Sequence, residues 1–180
     1  MREHGSDYFE NTRRATYVQQ QYAIQNPQGF SGYGECCWGL TASEGPGPAT
    51  HLVNGVERVF LDYVARGVPS GPDDGTLAPW AVVASLPFAP EIVVPTLQHF
   101  NKIDVGMACP YGLEATFNPT FPTEHGKHCG WLSPWHYGIN EGPIVLMIEN
   151  HRTGLLWNLM RQCPYMVSGL RKAGFTGGWL

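Results

Sequence analysis

The sequence predicts a mainly helical domain with long glycine-rich loops and little β-structure. Several segments place apolar residues at helical spacing, prolines begin or end most of these segments, and the 22 glycines lie largely between them. With 180 residues, 43% of them apolar, the chain is long enough to build one domain, residues 1–180, with its own core. The expected architecture is a set of antiparallel helix pairs with the long loops gathered at one end.

The first predicted helix runs from Asp7 to Gln25. Ser6 is its expected N-cap, and Asn26 and Pro27 end it because a residue before proline disfavours the helical conformation. Residues 27–50 are predicted to form a glycine-rich loop with a short helical turn at "LTASE". The alternating stretch "ERVFLDYVAR" that follows predicts a strand.

Proline and glycine divide the rest of the chain into further helices. Thr76 is expected to cap a buried helix from Leu77 to Leu86, and a second helix from Pro90 to Asn101 contains an internal proline. "YGLEATFNPTF" indicates a short strand and turn. "PIVLMIENHRTGLLWNLMRQC", residues 143–163, predicts the longest helix, and residues 165–173 the last one.

Composition excludes several classes of function. The net charge of −4 and the lack of a dense Lys/Arg cluster argue against nucleic acid as a partner. The longest apolar stretch is broken by prolines, and the N-terminus has no apolar signal region, so we expect a soluble chain without a membrane segment, in a compartment that the sequence leaves open. Motifs of serine hydrolases, NTPases and dinucleotide-binding enzymes are absent, and no cofactor is predicted.

Glu35 is the first candidate catalytic residue. It lies in "GYGECCWGLTASEGP" between Tyr33 and Trp38, which together with Asp73 are candidate substrate-binding residues. A carboxyl that is shielded by rings can keep its proton and donate it to a leaving oxygen, as a general acid does. The alternative is a solvated loop glutamate, or one paired with an arginine such as Arg152.

Asp73 and Asp74 form a second candidate pair in the turn "PDDGT". Adjacent aspartates before a helix most often accept hydrogen bonds from backbone N–H groups. The functional alternative is charge stabilisation or general-base duty opposite Glu35, because glycoside hydrolysis requires two carboxyl groups across the scissile bond.

The stretch "HGKHCGWLSPWHYGINEGP" contains a third set of candidates. Trp131 and Trp135 are expected either to form walls of a sugar cleft or to anchor the core. Glu141 is a candidate catalytic residue, or a residue favoured by the dipole at the start of a helix. The histidines and cysteine here, His125, His128 and Cys129, fit no zinc template, so no metal site is predicted.

The fourth set lies in "MIENHRTGLLW" on the longest predicted helix. Glu149, Asn150 and Arg152 interrupt an apolar pattern. Buried polar groups must be hydrogen-bonded, either to ligand hydroxyls or to neighbouring loops.

Five blocks, taken together, resemble a known family. They are "YFENTRRATYVQQQYAIQNP", "GYGECCWGLTASEGPG", "DDGTLAPWAVVASLPFAPEIVVPTLQHF", "GINEGPIVLMIENHRTGLLW" and "AGFTGGWL". In this order they resemble the glycoamylase-like family, which includes endo-β-1,2-glucanases and a domain of cyclic β-1,2-glucan synthases. The resemblance implies an (α/α) toroid that acts on an oligo- or polysaccharide, most specifically β-1,2-glucan. It also implies that Glu35 is catalytic and that Asp74 and Trp38 line the central cavity.

The chain departs from the family pattern in two blocks and in length. "INEGP" replaces I-D-Q-G-P, and "YGLEATFN" replaces Y-G-F-x-D-A-F-N, so that Asn140 and Ala115 stand where the family has acidic residues. A toroid needs about twice the helices predicted here, which implies the C-terminal half of a ring. An open half-ring is expected to expose inner helices such as Leu77 to Leu86 and to self-associate.

Three functions therefore remain open at the level of sequence. The first is hydrolysis of β-1,2-glucan, with Glu35, Asp74 and Glu141 as catalytic candidates. The second is binding of glucan without catalysis, or completion of the ring by a partner. The third is transglycosylation in cyclic β-1,2-glucan synthesis.

Overall fold

A computed structural model describes residues 2–3, 6–105, 109–123 and 129–180, with side chains from Asp7 onward. The described part is mainly helical, with four small two-stranded antiparallel sheets. The helices are α1 (Tyr8–Gln25), α2 (Pro79–Ala84), α3 (Pro90–Lys102), α4 (Gly138–Thr153), α5 (Leu155–Gln162) and α6 (Pro164–Lys172). The strands are β1 (Arg2–Glu3), β2 (Ser6–Asp7), β3 (Ala42–Ser43), β4 (Ala49–Val53), β5 (Val56–Phe60), β6 (Val64–Ala65), β7 (Phe117–Asn118) and β8 (Trp131–Leu132). Within these residues, none of the helices has both the length and the apolar character needed to cross a bilayer.

Helix α1 confirms the predicted end and corrects the predicted N-cap. The Asp7 carboxylate accepts hydrogen bonds from the backbone N–H groups of Phe9 and Glu10, so the cap is Asp7 and not Ser6. At the other end Asn26 adopts a left-handed conformation, with φ of 44°, and its N–H bonds to the Tyr22 carbonyl. This geometry is a common way to end a helix.

The segment after α1 folds as short strands, so the helical turn predicted at "LTASE" is wrong. Ala42 and Ser43 form β3, which pairs with β6. The strand predicted at residues 57–66 is two strands, because β5 ends at Phe60 and β6 begins at Val64. Strand β5 also pairs with β4 through a two-residue Asn54-Gly55 turn in which both residues have positive φ. Asn-Gly is the residue pair that this type of hairpin turn favours.

The apolar core lies between α2, α3 and the loop that contains Trp38. Helix α2 is shorter than the predicted 77–86 segment, because Leu77 instead makes a β-bridge with Phe117 and Ala78 is the N-cap, in place of Thr76. Helix α3 matches its prediction. The core contains the buried side chains of Ala23, Cys37, Trp38, Leu40, Leu77, Val82, Leu86, Val93, Phe100, Val105, Phe117 and Cys129.

The expected exposure of the segment from Leu77 to Leu86 is wrong. Leu77, Val82, Val83 and Leu86 are all buried, because α2 packs against both α3 and α4. Exposed apolar side chains lie instead on α4, α5 and α6; they include Ile139, Val145, Leu146, Leu155, Leu159, Met160, Tyr165 and Met166.

The longest predicted helix is divided in the structure. Helix α4 begins at Gly138, so that Pro143 lies inside it, and it ends at Gly154, where φ is 70°. A glycine in the left-handed conformation stops a helix at little cost, which explains why α5 starts as a separate element. The last predicted helix, residues 165–173, is confirmed as α6.

A buried ion pair between Asp74 and Arg66 connects the β-strands to the start of α2. The Arg66 guanidinium donates to both Asp74 oxygens, each at 2.8 Å. The Arg66 side chain is 0% exposed and the Asp74 side chain is 1% exposed. Asp74 also accepts from the N–H groups of Leu61 and Thr76. Burial raises the pKa of Asp74, but the hydrogen bonds and charge of Arg66 outweigh it and the net pKa lies below its usual value.

The same guanidinium fixes the backbone on both sides of it. Arg66 donates to the carbonyls of Ser43, Leu61 and Asp62. Gly45 lies so close that a Cβ there would be 2.3 Å from the Arg66 Nη2 atom and 2.5 Å from the Leu61 carbonyl oxygen. Only glycine fits at this position, and the position of Glu44 is therefore set by the ion pair.

Replacing Asp74 with Asn should lower the free energy of unfolding by about 3–5 kcal/mol, because it leaves the Arg66 charge buried without a counter-ion. Urea denaturation at neutral pH measures this change. Glu57→Gln, on the exposed face of β5, is the control and should shift the free energy by less than about 0.5 kcal/mol.

The pH dependence of the unfolding free energy of the wild type and of Asp74→Asn supplies a second test. Because the pKa of Asp74 is lowered by folding, its contribution is present above the pKa of the unfolded state and is lost as pH falls through the folded pKa. The unfolding free energy of the wild type should therefore fall more steeply in acid than that of Asp74→Asn. Equal slopes would contradict the assignment of a charged, stabilising Asp74.

Candidate functional site

A cavity of about 390 Å³ opens between β3, α2 and the beginning of α4. Three aromatic rings and one carboxylate are part of its wall. The lining residues are Thr41, Ala42, Ser43, Glu44, Tyr63, Trp80, Tyr137, Ile139 and Asn140. Rings combined with a few convergent polar groups are typical of sites that bind small organic ligands, and flat ring faces stack on sugars.

Glu44 is the carboxylate of this cavity, and two hydroxyls orient it. Ser133 donates to Glu44 Oε1 at 2.9 Å, and Thr116 donates to the same oxygen at 3.3 Å and to the Glu44 carbonyl at 3.1 Å. Both of these hydroxyl residues are buried. Within the described part of the chain Oε2 has no hydrogen-bond partner, so this oxygen is available to a ligand hydroxyl.

Tyr137 lies at the mouth of the cavity as the N-cap residue of α4. Burial, followed by the negative charges of Glu44 and Asp62, raises the pKa of Tyr137. Its hydroxyl therefore stays protonated at neutral pH and can donate a hydrogen bond into the cavity.

Glu35 lies outside this cavity, on an exposed tight turn. The turn is closed by hydrogen bonds in both directions between Gly34 and Cys37, and the Glu35 carbonyl accepts from the Gln20 side chain. The expected shielding by rings is wrong for this chain, because Trp38 is directed into the core and Tyr33 toward Asp73. The catalytic role of Glu35 stays a hypothesis.

Asp73 bonds to groups inside the protein. Tyr33 donates to one carboxylate oxygen at 2.7 Å, Tyr22 donates to the other at 2.9 Å, and the Gly75 N–H donates at 3.0 Å. Burial, followed by the hydrogen bond to Asp73, raises the pKa of Tyr22 to about 12, and burial raises that of Tyr33 well above its usual value. In the described chain Asp73 and Tyr33 thus serve the fold, and the sugar-binding role expected for them is not supported.

Asp74 also serves the fold in this chain. Both of its oxygens are occupied by Arg66 and by backbone N–H groups, and the residue is 2% exposed. A carboxylate held in this way cannot reach a sugar, so the catalytic assignment of Asp74 is corrected to a structural one.

The three candidate tryptophans differ in their environments. Trp38 is 1% exposed, and its indole N–H donates to the Thr96 hydroxyl at 2.8 Å, which makes it a core residue with no face open to a sugar. Trp131 is half-buried on β8, and Trp135 is 61% exposed. Only these last two remain candidates for stacking.

Arg152 lies on the outer face of α4. Its side chain is 70% exposed and pairs with Glu149 at 3.2 Å, one turn away on the same helix. It pairs neither with Glu35 nor with the cavity residues, so the substrate-binding role expected for it is not supported.

Glu141 occupies the first turn of α4 and is half-buried. Burial raises the pKa of Glu141, and the nearby His136 lowers it by a smaller amount. A carboxyl with a raised pKa is suited to donate a proton, so Glu141 stays a catalytic candidate and its environment favours the role of a general acid. His125 and His128 lie outside the described residues, and Cys129 is buried in the core.

Two features of the structure were not found from the sequence. Glu44 lies in the loop sequence "TASEGP", but its hydrogen-bond partners Thr116 and Ser133 are far away in the chain. No local sequence pattern therefore indicates that Glu44 lines a cavity. Cys109, Glu114 and His136 come together beside Glu141 although their spacing fits no metal template.

Comparisons with known proteins show the family. Residues 1–164 match the family model named Glycoamylase, described as "Putative glucoamylase". The chain belongs to this family.

Its relatives include several proteins with named activities or structures. The chain is 34% identical over 168 residues to an exo β-1,2-glucooligosaccharide sophorohydrolase of Parabacteroides distasonis, covering 93% of the chain and 20% of that protein. It is 35% identical, with a TM-score of 0.81, to a "putative glucoamylase" structure from Bacteroides uniformis, covering 99% of the chain and 38% of that structure. An endo-β-1,2-glucanase of Chitinophaga pinensis, solved with sophorotriose and glucose, is 30% identical, with a TM-score of 0.79 and the same coverage of 99% and 38%. The glycoamylase-family chain thus spans about a fifth to two fifths of the length of these relatives.

The core role of Trp38 can be tested by stability. Trp38→Phe should lower the free energy of unfolding by about 1–3 kcal/mol, because it removes the hydrogen bond to Thr96 and leaves space in a packed core. Trp135→Phe, at the most exposed of the three candidate tryptophans, is the matched control and should have an effect below about 0.5 kcal/mol. Chemical denaturation followed by circular dichroism measures both, and equal stability of the two variants would contradict the core assignment.

Proposed function

We propose that this chain forms part of a glycoside hydrolase that cleaves β-1,2-glucan, and that the cavity around Glu44 binds the sugar. The observation that carries the proposal is a carboxylate whose free oxygen is available in a cavity lined by Tyr63, Trp80 and Tyr137. Family membership and the named activities of the relatives support β-1,2-glucan as the substrate class.

We further propose that this chain contributes the C-terminal half of an (α/α) toroid. The mainly helical fold and the match to 38% of the length of the larger structures are consistent with such an arrangement. We propose that the cavity at the start of α4 faces the central space of this ring.

Two carboxyl groups are needed for glycoside hydrolysis, one to protonate the leaving oxygen and one to act on the opposite face of the sugar. Glu141 is proposed as the acid because it directly follows the lining residue Asn140 and because burial raises its pKa. Glu35 keeps a proposed catalytic role through its place in the Y-G-E block alone, because it lies on an exposed turn outside the cavity. Glu44, fixed by Ser133 and Thr116, is proposed to accept hydrogen bonds from sugar hydroxyls.

A second function follows from the share of the relatives that the chain spans. With 20% of the sophorohydrolase and 38% of the endo-glucanase covered, the chain can bind glucan without cleaving it. Sugar binding without release of reducing ends supports this alternative. Release of longer or cyclic products indicates transglycosylation, as in cyclic β-1,2-glucan synthesis.

Glu44→Gln should weaken the binding of sophorotriose at least about tenfold, because a charge-assisted hydrogen bond to a sugar hydroxyl contributes roughly 1.5–3 kcal/mol. Isothermal titration calorimetry measures the change. Glu57→Gln is the control, since Glu57 is exposed on β5 and is not among the residues that line the cavity. Wild-type affinity in Glu44→Gln would remove Glu44 from the binding site.

Glu141→Gln should reduce hydrolysis of linear β-1,2-glucan by about 10²- to 10⁴-fold, the usual contribution of a general acid. The acid acts only when protonated, so the wild-type rate should fall as pH rises through the raised pKa of Glu141. A reducing-sugar assay across pH tests this point.

Glu149→Gln, on the same helix but paired with the exposed Arg152, is the control and should retain wild-type turnover. Full activity and an unchanged pH profile in Glu141→Gln would exclude Glu141 as the acid. The proposal requires that Glu141→Gln lose most of the rate of hydrolysis. It also requires that the fall of this rate at alkaline pH, present in the wild type, disappear in the variant.

A further inference from the structure

Three side chains with metal-ligand chemistry meet next to the first turn of α4. Cys109 Sγ lies 3.2 Å from His136 Nε2, and Glu114 Oε2 lies 3.2 Å from the same nitrogen. The three atoms all lie within 4.8 Å of one another, and each residue is half-buried. The cluster is therefore partly shielded from solvent but reachable by a small ion.

Two separate loops supply this cluster and hold it in place. Cys109 and Glu114 flank the turn that precedes β7, and His136 lies just before α4. The Tyr111 N–H donates to Cys109 Sγ at 3.4 Å, and the Tyr111 ring packs beside His136 with 5.5 Å between ring centroids. These two contacts hold the sulfur and the imidazole in place relative to each other.

The geometry differs from that of a catalytic cysteine dyad or triad. In such sites the histidine uses one ring nitrogen for the thiol and the other for the orienting carboxylate. Here the sulfur and the carboxylate oxygen both contact Nε2, and Nδ1 is buried without a hydrogen-bond partner in the described part of the chain. One N–H can form a well-aligned hydrogen bond with only one of these atoms at a time, whereas a metal ion between the three groups would be shared by all of them.

Two of the three ligand-to-ligand distances are close to those of a tetrahedral zinc site, and the third, between Cys109 and Glu114, is at most 4.8 Å. Zinc bonds of about 2.0–2.3 Å to sulfur, nitrogen and oxygen place neighbouring ligand atoms about 3.3–3.6 Å apart. The two contacts of 3.2 Å to His136 Nε2 are within a few tenths of an ångström of these edges. Thiolate, imidazole and carboxylate together are donors that Zn²⁺ accepts well, and hard cations such as Mg²⁺ prefer oxygen alone.

We propose that Cys109, Glu114 and His136 bind a divalent transition-metal ion, Zn²⁺ by preference, with one coordination position left open. Binding replaces the thiol proton, which is released to solvent, and uses the lone pair of the neutral imidazole. The ion joins the 109–114 loop to the start of α4. Metal binding at this site can be measured without any sugar, so its test does not depend on the proposed glucanase function.

Direct metal titration of the untagged chain tests this proposal. Isothermal titration calorimetry with ZnCl₂ should give one equivalent bound per chain, and Zn²⁺ should raise the melting temperature. Co²⁺ in place of Zn²⁺ should produce a thiolate-to-metal charge-transfer band in the near ultraviolet. This band reports a sulfur ligand whether or not the protein has enzymatic activity.

Cys109→Ser and His136→Ala should each weaken Zn²⁺ binding more than about tenfold and should abolish the thermal shift, and Cys109→Ser should also abolish the Co²⁺ band. Cys163→Ser and Cys36→Ser, which replace other half-buried thiols, are the matched controls and should retain both signals. Circular dichroism confirms that each variant is folded before titration. Absence of the Co²⁺ band in the wild type, or equal Zn²⁺ affinity in Cys109→Ser, would show a hydrogen-bonded cluster only and overturn the proposal.

Discussion

The buried pair of Asp74 and Arg66 is the interaction on which the geometry of the candidate site depends. Two opposite charges that are almost completely removed from water are tolerated only when each is fully hydrogen-bonded. Asp74 satisfies this with Leu61 and Thr76, and Arg66 with the carbonyls of Ser43, Leu61 and Asp62. The pair thereby fixes the residue next to Glu44.

Asn118 extends this arrangement to the two-stranded sheet formed by β7 and β8. Its side-chain amide donates to the Asp74 carbonyl and the Thr76 hydroxyl, both at 3.0 Å, and its oxygen accepts from the N–H groups of Thr120 and Phe121. All of this side chain's hydrogen-bonding capacity is therefore used inside the protein. Through Asn118, strand β7 is held against the turn at Asp74, and Thr116 is brought to Glu44. These hydrogen bonds hold glycine-rich loops in fixed positions, where they form part of the wall of the cavity.

Local signals predicted those elements whose ends are set by neighbouring residues. Helices α1, α3 and α6 were predicted with bounds within about two residues because caps and prolines define them. The helical turn at "LTASE" was predicted incorrectly, and the helix predicted at 77–86 was too long, because pairing with distant strands decides the structure of "LTASE" and of Leu77. The break at Gly154 shows the same limit, since glycine is tolerated inside helices and only its conformation ended this one.

The candidate site shows this limit more clearly. The sequence predicted functional roles for four loop residues, Glu35, Asp73, Asp74 and Trp38. In the structure the last three form hydrogen bonds with residues inside the protein. Glu44 and the Cys109, Glu114 and His136 cluster depend on residues that are far apart in the chain. Because these residues meet only in the folded chain, neither the cavity carboxylate nor the three-residue cluster can be predicted from local sequence patterns.

The central claim, that the cavity beside Glu44 holds a β-1,2-linked sugar, is tested most directly by a crystal structure of this chain with sophorotriose. The account predicts electron density for a glucose unit in the cavity, with a hydroxyl within hydrogen-bond distance of Glu44 Oε2 and a ring face against Tyr63 or Trp80. Density for the trisaccharide elsewhere, for example only on the exposed Trp135, with an empty cavity, would contradict it.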